Sequence, residues 1–262
     1  MVYKQGCTDR AVVVSIQQAV GVKADGIWGP KTTEAVKAWQ RDNGLTPDGI
    51  VGPKTLAAMG LGTACRGIVI TKAPISTHIT HYTDRQVRYI ALHYTAGRSS
   101  EAGAAMANRN VFVQRPASAD FVVDDKTVVQ VNPDLRNCYC WAVGGKLNKW
   151  TSGGRLYGVA INRNTISIEM CSTLQKGTSA AAPNHEGWSV SDEVLERTRL
   201  LVRWLMQQYG IPRERVVRHY DITGKLCPGI IGWNDGQIFT TDGKQTDRRS
   251  DSSKWDEFWR SL

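Results

Sequence analysis

The spacing of apolar residues changes several times along the chain, and each change marks an element. Residues 9–20 and 30–42 carry helical spacing; in the second, Ala35, Val36, Ala38 and Trp39 share one face, and Asn43-Gly44 closes the helix. A shorter helix starts at Pro53. Residues 89–97, YIALHYTAG, hold an apolar run of strand character that ends in His93 before a turn. A helix over 101–108 follows, then two strands, 118–125 and 127–133, joined as a hairpin at Asp125-Lys126. Residues 135–164 are polar, aromatic and glycine-rich with little periodicity, the mark of binding loops. In residues 165–171, TISIEMC, Ile166 and Ile168 alternate with Ser167 and Glu169, which predicts a strand. Ser191 caps the longest helix, whose buried stripe is Val194, Leu195, Leu201, Val202 and Leu205, and Gly210 and Pro212 end it. Val216 and Val217 lead into His219, a polar loop runs to about residue 250, and Trp255, Phe258 and Trp259 mark a last helix.

One stretch repeats. DGIWGPKT at residues 25–32 recurs as DGIVGPKT at residues 48–55, twenty-three positions later. Each copy is a glycine-bearing turn, then Gly-Pro, then a helix, with proline in the first turn where its missing N–H costs nothing. Three short helices stapled by two like turns predict a small module over 1–62. Its pattern, Q-x-x-x-G-V-x-x-D-G-I-x-G-P-x-T, resembles the peptidoglycan-binding module found beside cell-wall hydrolases. The plainer reading is a structural bundle with Trp28 and Trp39 in its core. Residues 63–88 are polar and rich in breakers and are expected to be a linker, with His78 and His81 as solvated loop residues.

Composition narrows the choice of partner. The 262 residues are 41% hydrophobic and 22% charged, enough for one domain with a real core plus a small module. Lys and Arg number 33 against 24 Asp and Glu, a net charge of +9 that favours an anionic partner. No basic run with interleaved aromatics tracks a phosphate backbone, so nucleic acid is not expected. The longest apolar runs are too short for membrane insertion. Residues 1–22 carry no secretory signal, since residues 11–14 fall short of an apolar core for one. The six cysteines (7, 65, 138, 140, 171, 227) follow no disulfide framework; Cys7 and Cys65 could pair in an oxidising setting, but free thiols are expected.

Candidate chemistry centres on residues 216–229, VVRHYDITGKLCPG. His219 at a strand end and Cys227 after a short turn are two soft ligands that suit Zn²⁺, which takes nitrogen and sulfur at roughly 2.0–2.3 Å. The competing reading is a buried cysteine near a surface histidine. His93, also at a strand end, supplies a third ligand. Three protein ligands leave a tetrahedral ion one open position, which a hydrolytic site needs and a structural site closes. Glu169 is a carboxylate on an alternating strand, a place that usually faces solvent.

His93 in LHYTAG, Glu169 in ISIEMC and the segment HYDITGKLCP together resemble the zinc-dependent N-acetylmuramoyl-L-alanine amidases of phage endolysins and bacterial autolysins. The resemblance runs from about residue 89 to 262. It implies an α/β catalytic domain with a mixed central β-sheet flanked by helices, the fold shared with peptidoglycan-recognition proteins. It further implies that His93, His219 and Cys227 bind Zn²⁺, that Glu169 is the general base, and that Lys225 polarises the substrate. The substrate would be bacterial peptidoglycan, cut between N-acetylmuramic acid and L-alanine. One branch of the family places a tyrosine just ahead of the FVV strand; this chain reads Ser118-Ala119-Asp120-Phe121 there and must rely on Glu169. Some relatives carry a histidine where Ala142 stands. Three rivals are a non-catalytic peptidoglycan sensor, a zinc peptidase cutting within the stem peptide, and a thiol hydrolase with Cys227 as nucleophile. The expected protein is a monomer made in the cytoplasm without a signal peptide, acting at the cell wall after release.

Overall fold

A computed structural model describes residues 2–8, 10–59, 61, 68–178, 182–249 and 251–262. The chain divides into two compact units, Met1–Lys72 and Ala73–Leu262. A pairing of Cys7 with Cys65 lies outside the described residues.

The first unit holds α1 (Arg10–Ala19), α2 (Pro30–Asp42) and α3 (Pro53–Ala58), and its last residues form the short strand β1 (Ile70–Lys72). Its core is Tyr3, Val12, Val13, Ile16, Trp28, Val36, Val51 and Leu56. Trp28 is buried, and its indole N–H donates to the Thr33 hydroxyl at 3.0 Å, so it is a packing residue. The buried face of α2 is not the expected apolar one: Thr32, Val36 and Gln40 point inward, and Ala38 is exposed. The reason is a clamp. The Gln40 amide nitrogen donates to Asp48 Oδ1 (2.9 Å), the Ile50 carbonyl (2.9 Å) and Thr55 Oγ1 (3.4 Å), and its Oε1 accepts from the Gly49 N–H (2.9 Å). Gln17 repeats this twenty-three residues earlier with Asp25, Ile27, Thr32 and Gly26. Gly26 and Gly49 both have positive φ (74° and 73°), which explains the glycine in each turn.

The second unit contains β2 (Ile79–His81), β3 (Tyr89–Tyr94), α4 (Ala104–Gln114), β4 (Phe121–Val123), β5 (Val128–Gln130), β6 (Cys138–Cys140), β7 (Thr165–Met170), β8 (Thr173–Leu174), β9 (Trp188–Ser189), α5 (Asp192–Tyr209), β10 (Val216–Arg218), α6 (His219–Thr223), β11 (Gln237–Phe239), β12 (Gln245–Arg248) and α7 (Ser253–Arg260). Five of its strands lie side by side in the order β5-β4-β7-β3-β10. β4, β7, β3 and β10 pair in parallel and β5 antiparallel to β4, so the sheet is mixed. Ile166, Ile168 and Met170 point to one face, and Ser167 and Glu169 to the other. On β4, Val122 joins the cluster containing Ala104 and Ala105 of α4, so α4 covers the face that carries Glu169. The buried stripe of α5 is Val194, Thr198, Leu201, Val202 and Leu205; Ser191 caps it by accepting from the Val194 N–H, and Gly210 closes it in the left-handed region.

Part of the stretch expected to be a linker belongs to this unit. The amides of Ala73 and Ile75 donate to the carbonyls of Gln130 and Val131, and β2 pairs antiparallel with β6. Arg85 is buried: its guanidinium meets Asp120 Oδ1 at 3.2 Å and donates to the carbonyls of Cys138, Arg163 and Thr165. Breaker-rich composition hid these pairings because their partners lie 35 to 80 residues away. His78 is likewise no solvated loop residue, since its Nδ1 lies 2.8 Å from the Phe112 carbonyl and its ring packs near Trp141. The helix expected over 101–108 is displaced to Ala104–Gln114, because the buried carboxylate of Asp124 accepts from the Gly103 and Ala105 amides and sets its start.

The clamp gives a test. Gln40→Ala removes a nearly inaccessible amide and strands the partners in the second turn, which should cost the first unit about 1–3 kcal/mol. Hydrogen exchange of the Val36 and Val51 amides should accelerate accordingly, with exchange in β3 and β7 unchanged.

Candidate functional site

Three parallel strands deliver three polar side chains to one edge. In the β3–β7 pair His93 lies opposite Glu169, and both are the fifth residue of a six-residue strand. The β10–β3 register pairs Arg218 with Leu92, so the next residue, His219, arrives beside His93. Ligands gather beyond the carboxyl ends of parallel strands in folds of this kind, because the chain turns away there and leaves a crevice.

His219 opens α6, a single turn that Gly224 ends with φ 76°. The turn reverses the chain so that Cys227 comes back under His219, and the Tyr220 amide donates to the Cys227 carbonyl at 2.9 Å. Arg218 and Asp221 lock this geometry. Asp221 Oδ2 accepts from the Arg218 amide and Nε, both at 2.9 Å, and Oδ1 accepts from Nη2 at 2.8 Å. The guanidinium lies between the rings of Tyr220 and Trp255 (5.0 and 5.1 Å) and donates to the Trp233 carbonyl, which ties α7 to the histidine.

The ligand atoms of His93, His219 and Cys227 lie within 4.8 Å of one another, and all three residues are buried. Cys227 Sγ is 3.7 Å from His93 Nδ1, and the two imidazoles meet edge to face at 4.7 Å. Nε2 of each histidine and Oε2 of Glu169 are buried without a hydrogen-bond partner among the described residues. Unpaired buried polar atoms are costly, and a cluster of them signals a missing species. The donor set, two imidazoles and a thiol, fits Zn²⁺.

The electrostatics of the two imidazoles agree with that fit, while the thiol would have to give up its proton to the bound ion. Burial, the neighbouring His219 and Lys225 hold His93 well below the ordinary histidine range. Burial and Lys225 bring His219 down to about 3, against the Gly144 backbone, so both rings are neutral and offer lone pairs. Burial and Glu169 push the Cys227 thiol up to about 12, with Lys225 opposing. Burial lifts the Glu169 carboxyl to about 8, while Lys225 and Arg115 pull it down. Glu169 is half-buried in the cleft and not on an open sheet face, where strand carboxylates usually lie.

The five residues singled out in the sequence line one cavity of about 320 Å³. Its other walls were legible in part: the loop with Trp141 and Ala142 falls in the stretch read as binding loops, and the wall from α4 was missed. Asn108, Val111, Phe112 and Arg115 come from α4 and its C-terminal end, and Trp141 and Ala142 from the loop after β6. None of these carries a local motif. The one available signal was the helical spacing of Asn108, Val111, Phe112 and Arg115, which puts them on a single face.

Among the described residues no helix is long and apolar enough to cross a membrane. Residues 83–230 match the family model described as N-acetylmuramoyl-L-alanine amidase, and residues 11–59 match a putative peptidoglycan binding domain. The amidase XlyB of Bacillus subtilis (strain 168) is 63% identical over 143 residues, 55% of this chain and 37% of that protein. The amidase CwlH of the same organism is 31% identical over 151 residues, 56% of this chain and 50% of that protein. The chain spans half or less of the length of these relatives. A mutant endolysin from Bacillus subtilis superposes with a TM-score of 0.50 at 22% identity over 74% of this chain and 98% of that one, a likeness of fold. With the family model matched over more than half of its length, the chain belongs to the N-acetylmuramoyl-L-alanine amidase family.

Proposed function

We propose that this chain hydrolyses the amide bond between N-acetylmuramic acid and L-alanine in bacterial peptidoglycan, with Zn²⁺ held by His93, His219 and Cys227. The observation that carries the reading is the set of unpartnered buried atoms on His93, His219 and Glu169 beside a buried thiol. Zn²⁺ in that set would lower the pKa of water to about 7 and polarise a carbonyl. Glu169 lies opposite His93 on the neighbouring strand and lines the same cavity. The ligand atoms gathered within 4.8 Å are those of His93, His219 and Cys227, which leaves Glu169 the role of taking a proton from the attacking water. Water oxygen bonds to the muramoyl carbonyl carbon, the C–N bond breaks, and Glu169 passes its proton to the leaving alanine nitrogen. Lys225 faces the oxyanion that develops on the carbonyl oxygen. Arg218 and Asp221 act at a distance from substrate by fixing His219.

The first unit supplies wall affinity under the same reading, supported by the match of residues 11–59 to a putative peptidoglycan binding domain. The rival zinc peptidase would leave the muramoyl–alanine bond whole, and mass spectrometry of digested peptidoglycan separates the two. A new free amino group on L-alanine is the expected product.

Metal content comes first among the tests. The purified protein should hold one zinc per chain, lose activity to a chelator and regain it with Zn²⁺. Cys227→Ser should fall well below full occupancy by elemental analysis, whereas full occupancy would remove Cys227 from the ligand set. A thiol hydrolase would survive the chelator.

For the catalytic pair, Glu169→Gln should keep its zinc and lose at least about 10²-fold in kcat. Lys225→Ala should also keep zinc and lose about 10²–10³-fold. Near-normal turnover in Glu169→Gln, or loss of its zinc, would overturn the assignment.

Wall retention tests the first unit. In a pull-down on insoluble peptidoglycan at moderate salt, residues 73–262 should be retained less than the full chain. Equal retention would leave the first unit a structural bundle.

A further inference from the structure

The loop over residues 144–158 is not absorbed by the chemistry above, yet it is built onto the helix that carries His219. The Asn148 amide donates to the Thr223 carbonyl (2.7 Å), Thr151 Oγ1 to the Gly224 carbonyl (2.9 Å), the Gly154 amide to the Tyr220 carbonyl (2.9 Å) and the Leu156 amide to the Asp221 carbonyl (3.0 Å). These bonds satisfy the carbonyls that a one-turn helix leaves open at its end. The approach is backbone to backbone: a Cβ on Gly153 would come within 2.4 Å of the Tyr220 carbonyl oxygen, and one on Gly224 within 2.7 Å of the Asn148 carbonyl oxygen.

At the tip of this braced loop stands Trp150, 96% exposed, although its amide is held by Asn148 Oδ1 at 3.0 Å. A large aromatic ring left in water on a fixed backbone is an arrangement that packing does not explain. Lys146 and Lys149 precede it in the same loop, both exposed and neither in an ion pair among the described residues. Residues 141–163 include no Asp or Glu. The Gly224 carbonyl that anchors the tip belongs to the residue before Lys225, which lines the cleft. The tip is therefore tied to the backbone next to a lysine that lines the cleft.

We propose that Trp150, with Lys146 and Lys149, forms a second substrate subsite that holds the peptidoglycan polymer beyond the scissile unit. The indole face would stack on a sugar ring of the glycan strand, and the two ammonium groups would pair with carboxylates of neighbouring stem peptides. This rests on the peptidoglycan reading of the cleft and adds to it a demand for polymeric over short substrates. Such a ring costs little ordering entropy on binding, because both of its flanks are already fixed.

The test compares substrates and uses the full chain. On insoluble peptidoglycan stripped of phosphodiester polymers, Trp150→Ala and the pair Lys146→Gln/Lys149→Gln should each raise KM about 10-fold, with kcat within about 2-fold. On a short soluble muramoyl peptide that fills only the cleft, both should match wild type. Unchanged KM on the polymer, or equal losses on both substrates, would overturn the subsite. So would an effect seen only on walls that retain their phosphodiester polymers, which would make those polymers the occupant. A readout independent of turnover is the ¹⁵N-indole signal of Trp150, assigned with Trp150→Phe. It should shift on titration with soluble glycan–peptide oligomers, and no shift at saturation would overturn the proposal. If wild type cleaves neither substrate while the indole signal still shifts, the amidase reading falls and the subsite stands.

Discussion

The parallel register between β3 and β7 is the constraint on which the site depends. It sets His93 against Glu169 on one face of the sheet. Strand side chains alternate, so a slip of one residue would send one of the two to the opposite face among Ile166, Ile168 and Leu92. Ile90, Leu92, Ile166, Ile168 and Met170 line that face, and its buried Arg218 is already paired with Asp221, so a second buried charge there would be costly. The hydrophobic alternation that builds the core thus also fixes the position of the carboxylate. β10 extends the same logic by one strand and brings His219 into line.

A register that matters this much is held by more than its ladder. Asp120 accepts from the Ser167 amide at 2.8 Å and from Asn132 Nδ2 at 2.6 Å while it pairs with Arg85. Arg85 in turn binds the carbonyls of Cys138 and Thr165. One buried ion pair thereby ties β7 to the residues leading into β4 and to β6. Such a pair gains little net stability over an apolar substitute, but breaking it costs several kcal/mol. Its consequence here is positional, since Ser167 is two residues from Glu169.

The sequence disclosed the candidate ligands because each announces itself locally. His93 and His219 close apolar runs, and Cys227 follows a glycine turn in a segment with few alternatives. Most of the helices were legible for the same reason, with periodicity and caps lying inside a few residues. What stayed hidden were polar groups whose partners are distant: Asp124 setting the start of α4, Arg85 meeting Asp120, and Asn108 and Arg115 turned toward the cleft. The apolar stripe of α2 even misled, because Gln40 outranks Ala38 for the interior. A glutamine that satisfies four groups at once is a better core residue than an alanine that satisfies none.

The clamp of the first unit has an architectural corollary. Helix α2 begins at one glycine turn and carries the glutamine that closes the next, so a single helix is both product and template in a 23-residue period. Structures with that property grow in one dimension, adding a unit wherever the period continues. Here it stops after two turns: the position 23 residues after Gln40 is Thr63, and that after Asp48 is Thr71. The length of the module is therefore set by composition at two places, and a longer relative would differ by whole units of 23 residues.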